Sequence, residues 1–366
     1  MNSASLSQDG QQLVWRLRAD QPFGPQALAR DGRSLCLILE QARSSRRPVT
    51  VHLCLAAPRD RSHRPRLMLV SGPAAGETHP ITASITRPGR SELTVAFVAT
   101  DAGLAYRDLR WQVVSSATRG CPQADPAATS TCQVLYPLAP ALARVHTPRL
   151  VGCVARGPDW VFQGPGTTHE VALTFDDGPA GDPPTADFVA LLAREHVPAT
   201  FFEVGSQISL HDPHGAIERR MLADGDMIGD HTWSHPDMPG LAPSAQRQQL
   251  AQTAAAIERA SGFAPCLFRA PYGSVNRRLL TLARSMGLST IQWDVDPRDW
   301  ALPGVSAIAS NVIDHAHNGA IIIQHFGGGP RYETLRALPL EIAALRARGY
   351  RFVTVTQMLG YRLLYR

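Results

Sequence analysis

The stretch Val171-Ala172-Leu173-Thr174-Phe175-Asp176-Asp177-Gly178-Pro179 runs as an apolar strand and then stops on two adjacent aspartates and a Gly-Pro turn. Neighbouring carboxylates repel each other, and burying them is costly unless a cation or a shared proton compensates. A strand that ends this way invites a metal ion and a proton transfer in one place. Partners for both must come from elsewhere in the chain.

From about residue 165 onward, apolar strands alternate with amphipathic helices. The pattern predicts strands over 171–175, 199–204, 227–230, 266–269, 290–295, 320–324 and 352–356. Helices are predicted over 185–196, 217–224, 244–261, 276–286, 306–316 and 333–348. Such alternation implies a parallel sheet. Seven repeats suggest an α/β fold, a closed or nearly closed (β/α) barrel one unit short of the usual eight. An open doubly wound sheet is the competing architecture. Before residue 150 the sequence reads as short β segments over 13–18, 35–40, 49–55, 66–70, 81–85, 93–98 and 109–114. Several alternate apolar and polar residues, with Pro, Gly and Asp between them. Thr86-Arg87-Pro88-Gly89-Arg90 reads as a hairpin turn. The expected organisation is a smaller all-β, sandwich-like accessory domain over 1–150 with no readable site, then the α/β domain over 151–366.

The chain has 366 residues, 44% hydrophobic and 18% charged, enough for about two domains. All 36 basic residues are arginine, which excludes a lysine Schiff base or a P-loop lysine. The net charge is +5, but the arginines are scattered, so no nucleic-acid partner is expected. No apolar run approaches the roughly 20 residues of a membrane span. The first ten residues are polar and contain no signal-peptide core. Six cysteines, Cys36, Cys54, Cys121, Cys132, Cys153 and Cys266, include no CxxC pair, which argues against a thiolate zinc site. Cys121 and Cys132 bracket a polar loop that a disulfide could close, and Cys36 and Cys54 lie on neighbouring predicted strands. The even count favours an oxidising compartment, so a secreted, periplasmic or cell-envelope location is expected, with the cytoplasm as the alternative.

The chemistry-bearing residues gather at the carboxyl ends of the predicted parallel strands, where barrels collect their active-site groups. Asp176 and Asp177 end the first strand, and His231-Thr232-Trp233-Ser234-His235 follows the third. Arg269-Ala270-Pro271-Tyr272-Gly273 ends the fourth, Asp294, Asp296, Asp299 and Trp300 follow the fifth, and His325 ends the sixth. Two histidines four residues apart share one side of a helical turn or tight loop. With one carboxylate they make a three-ligand set that leaves positions open for water.

These motifs resemble the polysaccharide deacetylases of the NodB-homology type, carbohydrate esterase family four. The resemblance covers residues 165 to 362 and rests on five motifs in order: Thr174-Phe175-Asp176-Asp177-Gly178, His231-Thr232-Trp233-Ser234-His235, Arg269-Ala270-Pro271-Tyr272, Asp296-Pro297-Arg298-Asp299-Trp300 and Ile323-Gln324-His325. It implies a distorted (β/α)7 barrel and metal-dependent removal of acetyl groups from an acetylated glycan. It further implies that Asp177, His231 and His235 hold one divalent ion, zinc by preference, with cobalt, nickel or manganese also suited to two imidazoles and a carboxylate. Asp176 would be the base, paired with and oriented by Arg269, and the backbone N–H of Tyr272 would meet the oxyanion. His325 would protonate the departing amine, with Asp296 aiming it, while Trp300 and Ile323 would wall a pocket for the acetyl methyl. Many relatives carry an aspartate after the last motif's histidine. Here Phe326 precedes Gly327-Gly328-Gly329, a change expected beside the cleft that bears on fine specificity. Gln324 should face away from the site, by strand alternation.

The leading expectation is N-deacetylation of an amino-sugar polymer or oligomer, peptidoglycan or a chitin-like glycan, with release of acetate. The same machinery could act on O-acetyl-xylan or a non-sugar amide. A catalytically inactive carbohydrate-binding protein is the reading from a different class. A glycoside hydrolase would need two carboxylates flanking a glycosidic bond and no metal.

Overall fold

The computed structural model describes residues 3–20, 22, 34–42, 48–56, 65–71, 77–117 and 132–366. They form two compact units, Met1–Arg149 with Tyr365–Arg366, and Leu150–Leu364.

The first unit is built from β1 (Ser3–Asp9), β2 (Gln12–Arg18), β3 (Ser34–Gln41), β4 (Val49–Ala56), β5 (Arg66–Ser71), β6 (Glu77–Ile81), β7 (Ala83–Thr86), β8 (Glu92–Val98), β9 (Leu109–Ala117) and β10 (Cys132–Ala143). They pair antiparallel in two sheets, ordered β1-β2-β8-β7 and β10-β9-β3-β4-β5-β6. Alternate residues turn inward, so Leu13, Trp15, Leu17, Val95 and Phe97 from one sheet share a core with Leu37, Leu39, Leu53 and Val113 from the other. The segment expected as one strand over 81–85 breaks at Thr82: β6 belongs to the larger sheet and β7 to the smaller. The sequence pattern missed β1 and β10, the first because it alternates on small polar residues, the second because prolines interrupt it. Cys36 and Cys54 face each other in register across β3 and β4 and form a disulfide. The expected Cys121–Cys132 closure lies outside the described residues.

The second unit carries β11 (Leu150–Val154), β12 (Trp160–Val161), β13 (Glu170–Gly178), β14 (Thr200–Glu203), β15 (Met227–Asp230), β16 (Leu267–Phe268), β17 (Ser289–Ile291), β18 (Ala320–His325) and β19 (Arg351–Phe352). The helices are α1 (Thr185–Glu195), α2 (Gly205–His211), α3 (Ala216–Asp224), α4 (Pro243–Ser261), α5 (Arg277–Ser285), α6 (Val305–His315), α7 (Tyr332–Ala347) and α8 (Val355–Met358). The parallel sheet runs β12-β17-β16-β15-β14-β13-β18, and β19 pairs with the lower end of β13. It curls until the segment after β17 meets β18 through the single bridge Val295↔Ile322. This is a distorted (β/α)7 barrel, and the open doubly wound alternative is set aside. The seventh predicted strand stops early, because the Thr354 side chain caps α8 where the strand was expected to continue. A second disulfide, Cys153–Cys266, spans 113 residues of sequence.

The apolar layer beneath the carboxyl-end rim of the sheet is a phenylalanine cluster. Phe175 stacks on Phe201 at 5.3 Å, and Phe326 meets Phe201 edge-on at 5.1 Å. Such pairs contribute about 0.5–1.5 kcal/mol each beyond their burial. Phe326 is therefore fully buried core, although its place after His325 in the sequence predicts a position beside the cleft. Its ring fills the space beside Gly178, where a Cβ would come within 2.2 Å of it.

Candidate active site

The two aspartates that end β13 do not alternate across the sheet. The β13–β14 register shifts between Asp176 and Gly178, so Asp177 is the extra residue of a bulge and adopts a left-handed φ of 77°. The bulge brings both carboxylates to one side. Of the seven non-glycine residues with positive φ among the described residues, six, Asp177, Thr232, His235, Tyr272, Arg298 and Leu302, stand at the strand ends or in the loops of this rim, and the seventh, His196, ends α1. Backbone strain of this kind collects where geometry is over-determined by function.

Asp176 lies opposite His325 in the β13–β18 register and is 2% exposed. Its Oδ1 accepts a 2.8 Å hydrogen bond from Nη1 of Arg269. That guanidinium is fully buried and every edge of it is engaged. Nε donates to the Ile291 carbonyl (3.2 Å), Nη2 to the Gln292 carbonyl (3.0 Å) and Nη1 also to Thr174 Oγ1 (2.8 Å), with the Phe202 ring 4.1 Å beneath. Arg269 therefore fixes one oxygen of Asp176 and leaves Oδ2 facing the site, 3.8 Å from His231 Nε2.

Asp177 Oδ1 stands 3.3 Å from Nε2 of His231 and 3.1 Å from Nε2 of His235. Burial pushes the Asp177 carboxyl pKa up, but hydrogen bonds from His231 and His235 and the charges of His231 and His325 outweigh it, and the net direction is down. His231 donates its Nδ1–H to the Arg269 carbonyl at 2.8 Å, which fixes the tautomer. In neutral His231 the Nε2 lone pair then points at an anionic oxygen, an arrangement that a cation between them would convert from repulsion to attraction. Apart from the two imidazole nitrogens beside it, the buried Asp177 Oδ1 has no hydrogen-bond partner. The ligand atoms of Asp177, His231 and His235 lie within 4.8 Å of one another, and this donor set fits a divalent ion. The spacing of the two histidines is met by a loop, not a helical turn, in which Thr232 Oγ1 accepts from the His235 N–H.

His325, at the end of β18, donates Nδ1–H to Asp299 Oδ1 at 2.7 Å, and its backbone N–H donates to Asp299 Oδ2 at 2.8 Å. Burial lowers the His325 pKa, while the Asp299 hydrogen bond and the charges of Asp299, Asp176 and Asp177 raise it, and the net is upward. The partner expected here was Asp296. Instead Asp296 Oδ1 accepts the Arg298 N–H at 2.7 Å within its own turn, and the left-handed Arg298 swings the next residue, Asp299, into the barrel where it is fully buried. Asp299 stood inside the quoted motif, but only the loop conformation could choose between the two.

The other expected residues divide. Tyr272 is left-handed, 71% exposed, and its ring meets His235 edge-on at 4.7 Å. Trp300 is half-exposed in the turn Asp299–Ala301, with the Arg298 guanidinium over its ring at 5.1 Å. Ile323 is buried in β18 opposite Thr174. Gln324 faces away, as expected, and donates to both carboxyl oxygens of the buried Glu341 (2.9 and 3.1 Å).

Comparison with known proteins agrees with this geometry. Residues 163–291 match the family model described as Polysaccharide deacetylase. A chitooligosaccharide deacetylase of Bradyrhizobium sp. (strain ANU 289) is 37% identical over 204 residues, 52% of this chain and 91% of that protein. The peptidoglycan-N-acetylglucosamine deacetylase PgdA of Listeria monocytogenes is 33% identical over 197 residues, 54% of this chain but 40% of that longer protein. The solved Bc1960 peptidoglycan N-acetylglucosamine deacetylase superposes with a TM-score of 0.52 at 34% identity, over 56% of this chain and 94% of that one. BA3943 of Bacillus anthracis, a pseudoenzyme of carbohydrate esterase family four, superposes with a TM-score of 0.51 at 27% identity, over 56% of this chain and 70% of that one. The chain belongs to the polysaccharide deacetylase family, the NodB-homology hydrolases of carbohydrate esterase family four.

Proposed function

We propose that this deacetylase removes N-acetyl groups from amino-sugar polymers or oligomers, peptidoglycan or a chitin-like glycan, with Asp176 as base and His325 as acid. The observation that carries the assignment is the division of the two β13 aspartates: Asp176 is tied to Arg269 and Asp177 to two imidazoles. Asp177, His231 and His235 would hold one divalent ion, zinc being the best match and cobalt, nickel or manganese acceptable. When bound, such an ion supplies Lewis-acid polarisation of the acetyl carbonyl and lowers the pKa of a coordinated water.

The chain's own residues supply the proton path. Asp176 Oδ2, left free by Arg269, takes the proton of the attacking water. His325 is held at Nδ1 by Asp299, which leaves Nε2 to deliver a proton to the leaving amine. Its pKa, raised by the Asp299 hydrogen bond and nearby carboxylate charge against the opposing effect of burial, favours the protonated form. The Tyr272 N–H is the oxyanion donor in this reading, and Trp300 with Ile323 bounds the methyl site. A methyl-sized pocket gives only about 1–3 kcal/mol of discrimination, so exclusion of longer acyl groups rests on shape.

The disulfides Cys36–Cys54 and Cys153–Cys266 support a secreted, periplasmic or cell-envelope location. No helix among the described residues is long and apolar enough to cross a membrane. The β unit is read as an accessory domain.

The test is acetate release from N-acetylglucosamine oligomers, peptidoglycan and acetyl-xylan, each with and without chelator. Chelator-sensitive release from the amino-sugar substrates is expected. Release from acetyl-xylan alone would reassign the substrate, and release that ignores chelator would remove the metal from the reading.

A further inference from the structure

Four consecutive residues at the start of α7 reach four different pieces of the rim. Arg331, 5% exposed, donates from Nε to the Gly327 carbonyl (2.8 Å), from Nη2 to the Gly328 carbonyl (3.2 Å) and from Nη1 to the Trp300 carbonyl (3.4 Å). The Tyr332 hydroxyl donates to Asp182, in the loop that follows β13. Glu333 Oε2 accepts the Gly304 N–H at 2.8 Å. The Thr334 hydroxyl, fully buried, donates to Asp299 Oδ2 at 2.7 Å.

Two of these contacts end on the chemistry. Asp299 is buried with three donors on two oxygens: His325 Nδ1–H on Oδ1, and the His325 N–H with the Thr334 hydroxyl on Oδ2. Without the hydroxyl, Oδ2 keeps one donor, and that donor moves with His325 itself. Among the described residues Thr334 is then the side-chain donor to Asp299 that does not belong to His325, and it sets the direction in which the imidazole points. On the other side, the segment that Arg331 grips lies directly on Asp177. A Cβ at Gly327 would stand 2.3 Å from the Asp177 carbonyl oxygen, and one at Gly328 would stand 2.5 Å from Asp177 Oδ2. Gly328 also takes a φ of 69°, so the loop can pass this close only as glycine.

We propose that the first turn of α7 positions both halves of the site, Thr334 acting through Asp299 on His325, and Arg331 acting through Gly327–Gly328 on Asp177. The inference rests on the deacetylase reading above for the roles of His325 and Asp177. Neither α7 residue is placed at the substrate; both are positioning residues. A plain packing role would require only an apolar first turn, whereas here the polar atoms of successive residues are each committed to a different loop.

The experiment uses the full chain and three variants, Thr334→Val, Thr334→Ser and Arg331→Met. Thr334→Val keeps the shape and removes the hydroxyl. Its kcat on an N-acetylglucosamine oligomer should fall roughly tenfold to a hundredfold with KM unchanged, the scale of one lost charge-assisted hydrogen bond. Thr334→Ser should restore most of it. The downfield proton resonance of the His325 Nδ1–H should shift in the valine variant and return in the serine variant. Arg331→Met should weaken zinc binding, read by chelator competition on the apo protein, about tenfold or more. The proposal is overturned if Thr334→Val keeps wild-type kcat and an unmoved imidazole resonance, if serine fails to rescue, or if Arg331→Met binds zinc like the wild type while only its melting temperature drops. If the wild type releases no acetate from any substrate, the deacetylase reading fails by itself, and the imidazole resonance and zinc affinity still decide the positioning.

Discussion

The two units of this chain bury very different things. In the β unit, the buried polar side chains among the described residues come down to Gln41, whose amide grips the backbone of Ala105 and Arg107. In the barrel unit Asp176, Glu203, Asp230, His231, Arg269, Asp299, Gln324 and Glu341 are all buried. An apolar sandwich core gains stability from nearly every residue it encloses. A barrel that encloses ionisable groups does so against a desolvation cost, and that cost is tolerable where a charge has a partner of good geometry, as Asp176 has in Arg269, or where burial holds the carboxyl neutral, as it favours at Glu203, Asp230 and Glu341. The contrast separates a unit whose interior is explained by folding from one whose interior is explained by chemistry.

The comparison breaks most sharply at Arg269. Arg269→Met would leave Asp176 as a buried carboxylate without its cation and two backbone carbonyls without their donor. Stability should fall by about 3–5 kcal/mol in urea unfolding, and turnover should be lost with it. The counterpart in the β unit is Phe97→Ala, at a position 1% exposed. It should cost a similar ~3–5 kcal/mol and leave the specific activity of the folded protein unchanged. If Phe97→Ala also lowered kcat per folded molecule, the functional separation of the two interiors would be wrong.

That separation was readable in the sequence to a definite depth. Strand and helix alternation placed β13 to β19 within a few residues, because buried parallel strands are apolar runs and five of the seven end on a polar motif, while the two-residue β12 left no such signal. The strand-end rule then brought Asp176, Asp177, His231, His235, Arg269 and His325 to one rim. What stayed hidden depends on backbone twists of a few residues. Asp296 and Asp299 are both acidic and both in the motif; the left-handed turn at Arg298 alone decides which one enters the barrel. Phe326 was assigned beside the cleft because nothing in the sequence shows that Gly178 leaves room for its ring underneath. Thr334 carries no pattern at all: it is one hydroxyl in a helical first turn. The Cys153–Cys266 link is hidden by its 113-residue separation.

A finer test lies at His325, the proposed acid. Asp299→Asn keeps the shape but removes the charge that, with its hydrogen bond, lifts the His325 pKa above the ordinary imidazole value. The basic limb of the kcat–pH profile should therefore move to lower pH, and kcat at the optimum should fall by about 10²-fold or more. The same substitution at Asp296, whose carboxylate serves only its own turn, should leave the limb where it is. A basic limb that moved with Asp296→Asn and not with Asp299→Asn would return the assignment to the first aspartate.

The smallest effect expected, per pH unit, concerns what the barrel pays for its remaining buried carboxyls. Burial raises the Asp226 pKa from 3.8 to about 7 and the Glu341 pKa from 4.5 to about 8. A raised folded value means that the unfolded chain releases its proton first. The stability tied to each neutral carboxyl is fully present below its ordinary value, declines as pH rises, and is gone once pH passes the folded value. Stability should accordingly drop between about pH 5 and pH 8 by up to roughly 1 kcal/mol per pH unit for each group. Glu341→Gln should remove Glu341's own share of that slope, to which the raised carboxyls of Glu203, Glu218, Asp226 and Asp230 also contribute, because the amide oxygen can still accept from Gln324 and no longer titrates. Thermal melts at pH 5.5 and pH 8.5 read the difference directly. Equal slopes in wild type and Glu341→Gln would mean that Glu341 is already ionised in the folded barrel and that its contact with Gln324 is a charged one.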